Sequence, residues 1–126
     1  MQSIEQVVNF LGKYKLRLAT AESCTAGLIS SLVADVPGSG KVLDCAFVTY
    51  SPQAKQRLLH VSPATMETFN LTSVEVASEM AIGALRDSTA NVAVATTGIL
   101  GPDEMDGIKA GTGCFAWAFQ FDDQQC

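Results

Sequence analysis

The stretch Leu16-Arg17-Leu18-Ala19-Thr20-Ala21-Glu22-Ser23-Cys24-Thr25-Ala26-Gly27 decides how this chain folds. Its apolar run from Leu16 to Ala21 reads as a buried strand. Leu28, Ile29, Leu32 and Val33 then form the apolar stripe of a helix predicted from Thr25 to about Val33. A strand that runs directly into a helix is the repeating unit of an α/β sheet, and here the junction carries Ser23. Backbone N–H groups in a first helical turn lack intrahelical partners and sit at the positive end of the macrodipole, so they can hold an oxyanion or phosphate beside that serine. The same orphan donors make Ser23 or Thr25 an ordinary N-cap. The segment alone leaves both readings open.

Outward from this junction the chain alternates helical and extended patterns, without repeats or a linker. Ile4, Val7, Val8 and Leu11 recur at helical spacing before Gly12, and Pro37-Gly38-Ser39-Gly40 breaks the pattern after the second helix. A second strand is predicted within Leu43 to Thr49, a short helix after Pro52, another from Pro63 to Phe69, and a longer one from Val74 to Leu85 capped by Ser73. Val92-Ala93-Val94-Ala95 reads as a buried strand ending in the turn-rich loop Thr96-Thr97-Gly98-Ile99-Leu100-Gly101-Pro102. In a last strand, Gly113 to Phe121, Phe115, Trp117, Phe119 and Phe121 alternate with small residues, and the bulky face is expected to pack under helices. The fold class that follows is α/β: a three-layer α/β/α sandwich around a mixed sheet, one domain over residues 1–126.

Composition removes several classes of function. The chain has 126 residues, enough to bury a core without disulfides or a structural metal. Its four cysteines, Cys24, Cys45, Cys114 and Cys126, show no C-x-x-C spacing, and the single His60 completes no usual zinc set, so a reduced, cytoplasmic protein without a metal is expected. The start of the chain lacks the basic and apolar regions of a signal peptide, and no apolar run is long enough to span a bilayer. A net charge of -5, with eight Lys and Arg residues that do not cluster, argues against a nucleic-acid partner. Gly38-Ser39-Gly40-Lys41 lacks the flanking residues of a phosphate-binding loop and reads as a turn; Cys24 reads as packing, and Glu75 with Glu79 as a solvated helical face.

Ser23, Tyr50 and Gly98 each follow the C-terminal end of a predicted strand, where open α/β sheets bind ligands. Tyr50 and Lys55 stand about one helical turn apart in Thr49-Tyr50-Ser51-Pro52-Gln53-Ala54-Lys55. A serine attacks only once its proton is removed, and a lysine kept neutral by burial can take the place of a histidine base. Lys55 is the candidate base for Ser23, and Tyr50 a proton relay or orienting group. Taken singly, Lys55 also fits an exposed helix charge and Tyr50 an amphipathic strand-end residue. Glu22, beside the serine, could orient Lys55 or serve as a structural hydrogen-bonder, and the sequence leaves that choice open.

Several segments in one order resemble the family formed by the C-terminal domain of the competence/damage-inducible protein CinA and the stand-alone bacterial nicotinamide mononucleotide deamidases. Ala21-Glu22-Ser23-Cys24-Thr25-Ala26-Gly27 is similar to the family's A-E-S-C-T-G-G, Tyr50-Ser51-Pro52-Gln53-Ala54-Lys55 to its Y-S-N-x-x-K, and Thr97-Gly98-Ile99-Leu100-Gly101-Pro102-Asp103 to its S-G-I-A-G-P-D. Ser73-Val74-Glu75, Glu79-Met80-Ala81 and Gly111-Thr112 match further family segments, so the likeness runs from about Leu16 to Phe119. The resemblance implies an amidohydrolase that converts nicotinamide mononucleotide to nicotinic acid mononucleotide and ammonia, with no metal or organic cofactor. It places the nucleophile on Ser23, the base on Lys55 and the assisting phenol on Tyr50. Glu22, Thr25, Gly27, Thr97, Gly98 and Gly101 are the expected substrate-binding residues, with N–H groups near Thr25 holding the oxyanion.

The chain also departs from the family's pattern. Ala26, Pro52 and Leu100 replace a glycine, an asparagine and an alanine, and Glu104-Met105-Asp106 stands where a glycine pair is usual. The family continues past this chain's last residues with a further strand, a G-D-R segment and a long helix. Lacking them, one face of the sheet is expected to expose an apolar patch that favours homo-oligomers. The same departures motivate a second reading, a catalytically silent relative that binds nucleotides or protein partners.

Overall fold

The computed structural model describes residues 3–99, 107–121 and 124–125. Ser3 opens the first helix, α1 (Ile4–Lys13), through a reciprocal capping box with Gln6. Strand β1 (Leu18–Glu22) leads by a turn to α2 (Leu28–Ala34), and a single 3-10 turn at Ser39–Lys41 precedes β2 (Leu43–Val48). Three helices follow without an intervening strand: α3 (Pro52–Leu59), α4 (Pro63–Phe69) and α5 (Val74–Arg86). The chain then returns through β3 (Val92–Gly98), β4 (Gly113–Phe121) and the two-residue β5 (Gln124–Gln125). Among the described residues no helix is long and apolar enough to cross a membrane.

The sheet has the order β2-β1-β3-β4-β5. β1 pairs in parallel with both β2 and β3, whereas β4 runs antiparallel to β3. The expected mixed sheet and three-layer α/β/α sandwich are therefore present. β1, with two parallel neighbours, is buried along its whole length, as an unalternating apolar strand must be.

Side-chain alternation along the strands divides the core in two. Leu18, Val92 and Val94 face Val8 and Leu11 of α1 and Val33 of α2. Ala19, Ala21, Ala93, Ala95 and Ala118 face Val76, Met80, Ala81 and Ala84 of α5, with Leu59 of α3. On β1, β3 and β4 this second layer is alanine throughout, which lets α5 lie close to the sheet. The close approach continues at Gly83, where an added Cβ would collide with the carbonyl oxygen of Leu59.

Three expectations from the sequence are corrected. β3 runs on through Thr96, Thr97 and Gly98, because each pairs with β4, so these residues are strand and not loop. α2 begins at Leu28 instead of Thr25, and Ser23 to Gly27 form a turn in which Ala26 and Gly27 have φ of 50° and 101°. Finally, the aromatic side of β4 packs under helices only at Phe119, half-buried against the α1–α2 layer: Phe115, Trp117 and Phe121 are 60%, 56% and 55% exposed, and the small side, Ala116 and Ala118, lies against the α5 layer. These three exposed rings lie on one face of β4.

Candidate active site

Residues 22 and 23 leave β1 on opposite sides of the sheet, and this alternation builds two different sites from two neighbouring side chains. Glu22 points to the layer of α1 and α2. Its carboxylate accepts from the backbone N–H groups of Gly27 (3.2 Å), Ile29 (2.9 Å) and Ser30 (3.0 Å), and from the hydroxyls of Thr25 (2.7 Å) and Thr20 (3.0 Å). Glu22 thus caps α2 from the end of the preceding strand. Burial raises its pKa, but the hydrogen bonds from Thr25, Ser30, Ile29 and Thr20 together outweigh this and hold it below the ordinary value of 4.5.

That arrangement bears on the question left open for Glu22 and on the donors beside Ser23. The carboxylate is a structural hydrogen-bonder, fully buried and without contact to Lys55. The donors at the start of α2 are therefore already occupied, so the N-terminus of that helix is not free to receive an oxyanion or phosphate. Thr25 is likewise engaged, bonding Glu22 and the Thr96 hydroxyl (2.9 Å), while Gly27 supplies the left-handed N-cap conformation of α2. The two N–H groups left nearest Ser23 are those of Cys24 and Thr25, neither of which donates to a backbone carbonyl or side chain among the described residues.

Ser23 faces the other layer. Its N–H extends the β1–β3 ladder by bonding Thr96 O (3.1 Å), and across β1 the N–H of Thr49 bonds Glu22 O (2.9 Å). Both strand ends are thereby fixed beside each other. α3 begins at once: Ser51 caps it through Ala54 N (3.0 Å), and Pro52 occupies the first turn, where its missing N–H costs nothing. With the start so fixed, Lys55 and Leu59, four residues apart, share the inward face of α3.

Lys55 is 1% exposed. Its Nζ donates to Ser23 Oγ (2.9 Å), Thr49 O (2.8 Å) and Tyr50 O (3.2 Å). The ion pairs among the described residues are Arg17 with Asp44 and His60 with Asp87, so the buried amine has no carboxylate partner. Burial consequently lowers its pKa from 10.5 to about 8, opposed only by the nearby Cys24. The two carbonyls have a further effect: a neutral amine that gives its two hydrogens to them turns its lone pair toward Ser23 Oγ.

The remaining sequence candidates are placed as follows. Tyr50 is brought to the site through its carbonyl; its side chain is 66% exposed, and its hydroxyl makes no hydrogen bond among the described residues. The Thr97 hydroxyl is engaged by Leu71 O (2.9 Å). Gly98 is where β3, β4 and the Ser23 turn meet, since a Cβ there would lie 2.6 Å from Thr112 O and 3.2 Å from Cys24 Sγ. Gly101 lies outside the described residues, as do Leu100 and the acidic positions 103, 104 and 106. Sequence reasoning missed Thr49 and the use of two main-chain carbonyls, and main-chain groups leave no residue-type signal to find them by.

Residues 1–125 match the family model described as the CinA C-terminal domain. The chain belongs to the CinA C-terminal domain family. Among its relatives are a CinA-like protein of Chlorobaculum tepidum, 54% identical over 98 residues, and the protein YdeJ of Escherichia coli, 43% identical over 104 residues. These alignments cover 78% and 82% of this chain, but only 23% and 60% of the relatives, so the chain spans about a quarter of the CinA-like proteins it matches. A solved CinA superfamily protein from Escherichia coli superposes with a TM-score of 0.89 at 38% identity, over 98% of this chain and 71% of the other. A competence/damage-inducible protein from Agrobacterium tumefaciens gives 0.89 at 36% identity, over 100% and 79%.

Proposed function

We propose that this CinA-family chain is a serine amidohydrolase acting on nicotinamide mononucleotide, a small cytoplasmic nucleotide, and releasing ammonia. The observation that carries the reaction class is the buried 2.9 Å contact between Lys55 Nζ and Ser23 Oγ, with the amine held by two carbonyls and no carboxylate. A carboxylate there would keep Lys55 charged; neutral carbonyls in a buried site let it lose its proton near neutral pH. The choice of substrate rests on the family resemblance.

In the proposed cycle neutral Lys55 takes the Ser23 proton as Oγ attacks the carboxamide carbon. The Cys24 and Thr25 N–H groups stand nearest to receive the developing oxyanion. Lys55 then passes the proton to the departing nitrogen, which leaves as ammonia, and the acyl-enzyme remains on Ser23. Lys55, neutral again, deprotonates the water that attacks the ester and returns that proton to Ser23 Oγ as the C–Oγ bond breaks, which frees the acid and restores the resting site. Every step uses the same amine, so the phenol of Tyr50 is left to the substrate, as an exposed ring at the mouth of the site.

The test is ammonia release from nicotinamide mononucleotide by wild-type protein and by Ser23→Ala, with circular dichroism to show equal folding. Turnover that vanishes with Ser23 supports the proposal. Folded wild-type protein without turnover contradicts it and favours the silent, binding reading.

A further inference from the structure

Thr49 carries the one buried side-chain oxygen or nitrogen, among the described residues, without a hydrogen-bond partner. The residue is fully buried, and its main chain is engaged on both sides: its N–H bonds Glu22 O (2.9 Å) and its carbonyl accepts from Lys55 Nζ (2.8 Å). Only Oγ1 has nothing. An orphaned buried hydroxyl is destabilising, and valine, of the same shape, would avoid that cost. The position of the orphan matters. Cys45 and Phe47 pack toward the α5 layer, and strand alternation carries Thr49 to that same side. Register does the rest: Glu22 pairs with Val48, which sets Thr49 opposite Ser23 on the neighbouring strand, on the face where Lys55 meets the serine.

The donor inventory of the site explains what an unused hydroxyl there would do. With Lys55 neutral, its two hydrogens go to Thr49 O and Tyr50 O, and the Ser23 proton goes to its lone pair. Ser23 Oγ then lacks a donor of its own. When that proton leaves, Oγ gains negative charge and one more lone pair, on a residue that is only 7% exposed. A donor that makes no bond in the resting site is free to make one at that moment, which is how preorganised groups favour a transition state over a ground state.

Resting on the proposed role of Ser23 as nucleophile, we infer that the Thr49 hydroxyl is a hydrogen-bond donor to Ser23 Oγ, engaged as Lys55 withdraws its proton. No group is transferred in this step. The Ser23 proton moves to Lys55 Nζ, the Thr49 hydrogen stays on its own oxygen, and the pair relaxes when the acyl-enzyme forms.

The experiment compares Thr49→Val and Thr49→Ser with wild type in three readouts: kcat and KM for ammonia release, the rate at which a fluorophosphonate labels Ser23, and thermal stability. Thr49→Val is expected to lose about tenfold to a hundredfold in kcat and in labelling rate, with KM unchanged and melting temperature equal to or above wild type. Thr49→Ser, which keeps the hydroxyl and loses the methyl, is expected to retain wild-type rates within about threefold. If Thr49→Val does not fold, Thr49→Ala takes its place, with the serine variant as control. Val and wild type labelling equally fast would overturn the inference, as would Ser losing as much as Val, which would assign the effect to packing. Wild-type protein that neither turns over nor labels any faster than Ser23→Ala would instead overturn the nucleophile reading beneath it.

Discussion

Glu22 and Lys55 are both charged side chains buried almost completely against the same sheet, one on each face, and they have opposite uses. Glu22 is surrounded by five donors, four from the turn and helix that follow it and one, Thr20, from its own strand, so its charge is favoured and its lone pairs are occupied. Lys55 has three neutral acceptors and no counterion, so its charge is disfavoured and its proton is labile. Burial is common to the two. The partners decide whether a buried ion holds a structure together or is available for chemistry.

Removing each charge should therefore do different things. Lys55→Met is expected to lower ammonia release by about 10³-fold, within the usual range for a general base, while leaving stability at neutral pH equal or higher, because an uncompensated ammonium has gone. Activity assays beside urea denaturation read both. Glu22→Ala should show the reverse priority: a stability loss of about 3–5 kcal/mol, since three backbone donors at the start of α2 are orphaned at once, with activity falling as the Ser23 turn loosens. Urea melts of this variant that coincide with wild type would break the comparison.

Changing pH separates the pair without mutation. Lys55 titrates near 8 when folded and near 10.5 when unfolded, so the unfolded chain holds more protons between those values and stability should rise across that window by about 3 kcal/mol. For Glu22 the folded pKa is the lower one, so its stabilisation is complete above about 4.5 and is lost as pH falls through the folded value. Denaturation midpoints from pH 3 to 10.5 test both, and Lys55→Met should abolish its alkaline rise. kcat/KM should climb with pH and level off above about 8, because the base must be neutral. The smallest effect sets the scale for the carboxylate: Ser73, which caps α5 through Val76 N alone (3.2 Å), should cost about 1 kcal/mol as Ser73→Ala in the same urea melts.

Local signals carried much of the fold. Pro52, Pro63 and Ser73 each open a helix as their chemistry requires, and Gly113 to Phe121 is the strand that its alternation describes. Alternation could not say which face of β4 turns inward. The aromatic face looked like core by hydrophobicity, yet it is the small face, Ala116 and Ala118, that lies in one cluster with Ala77, Ala81 and Ala84 of α5. The same sequence held that clue in the small residues of α5. The meeting of Ser23 with Lys55 was legible from chemistry and spacing; the capping of α2 by a carboxylate on the preceding strand was not, because it depends on a turn with positive φ at Ala26 as well as Gly27.

The central claim is that Lys55 is held as a labile base against Ser23. Titration of the Lys55 side chain by NMR, in protein carrying 13C-labelled lysine and with the resonance assigned by its loss in Lys55→Met, measures this without a substrate. A midpoint near 8 is the expected result. A midpoint near 10.5, that of an ordinary lysine, would contradict it, for the amine would then stay protonated throughout the neutral range and have no lone pair for the serine.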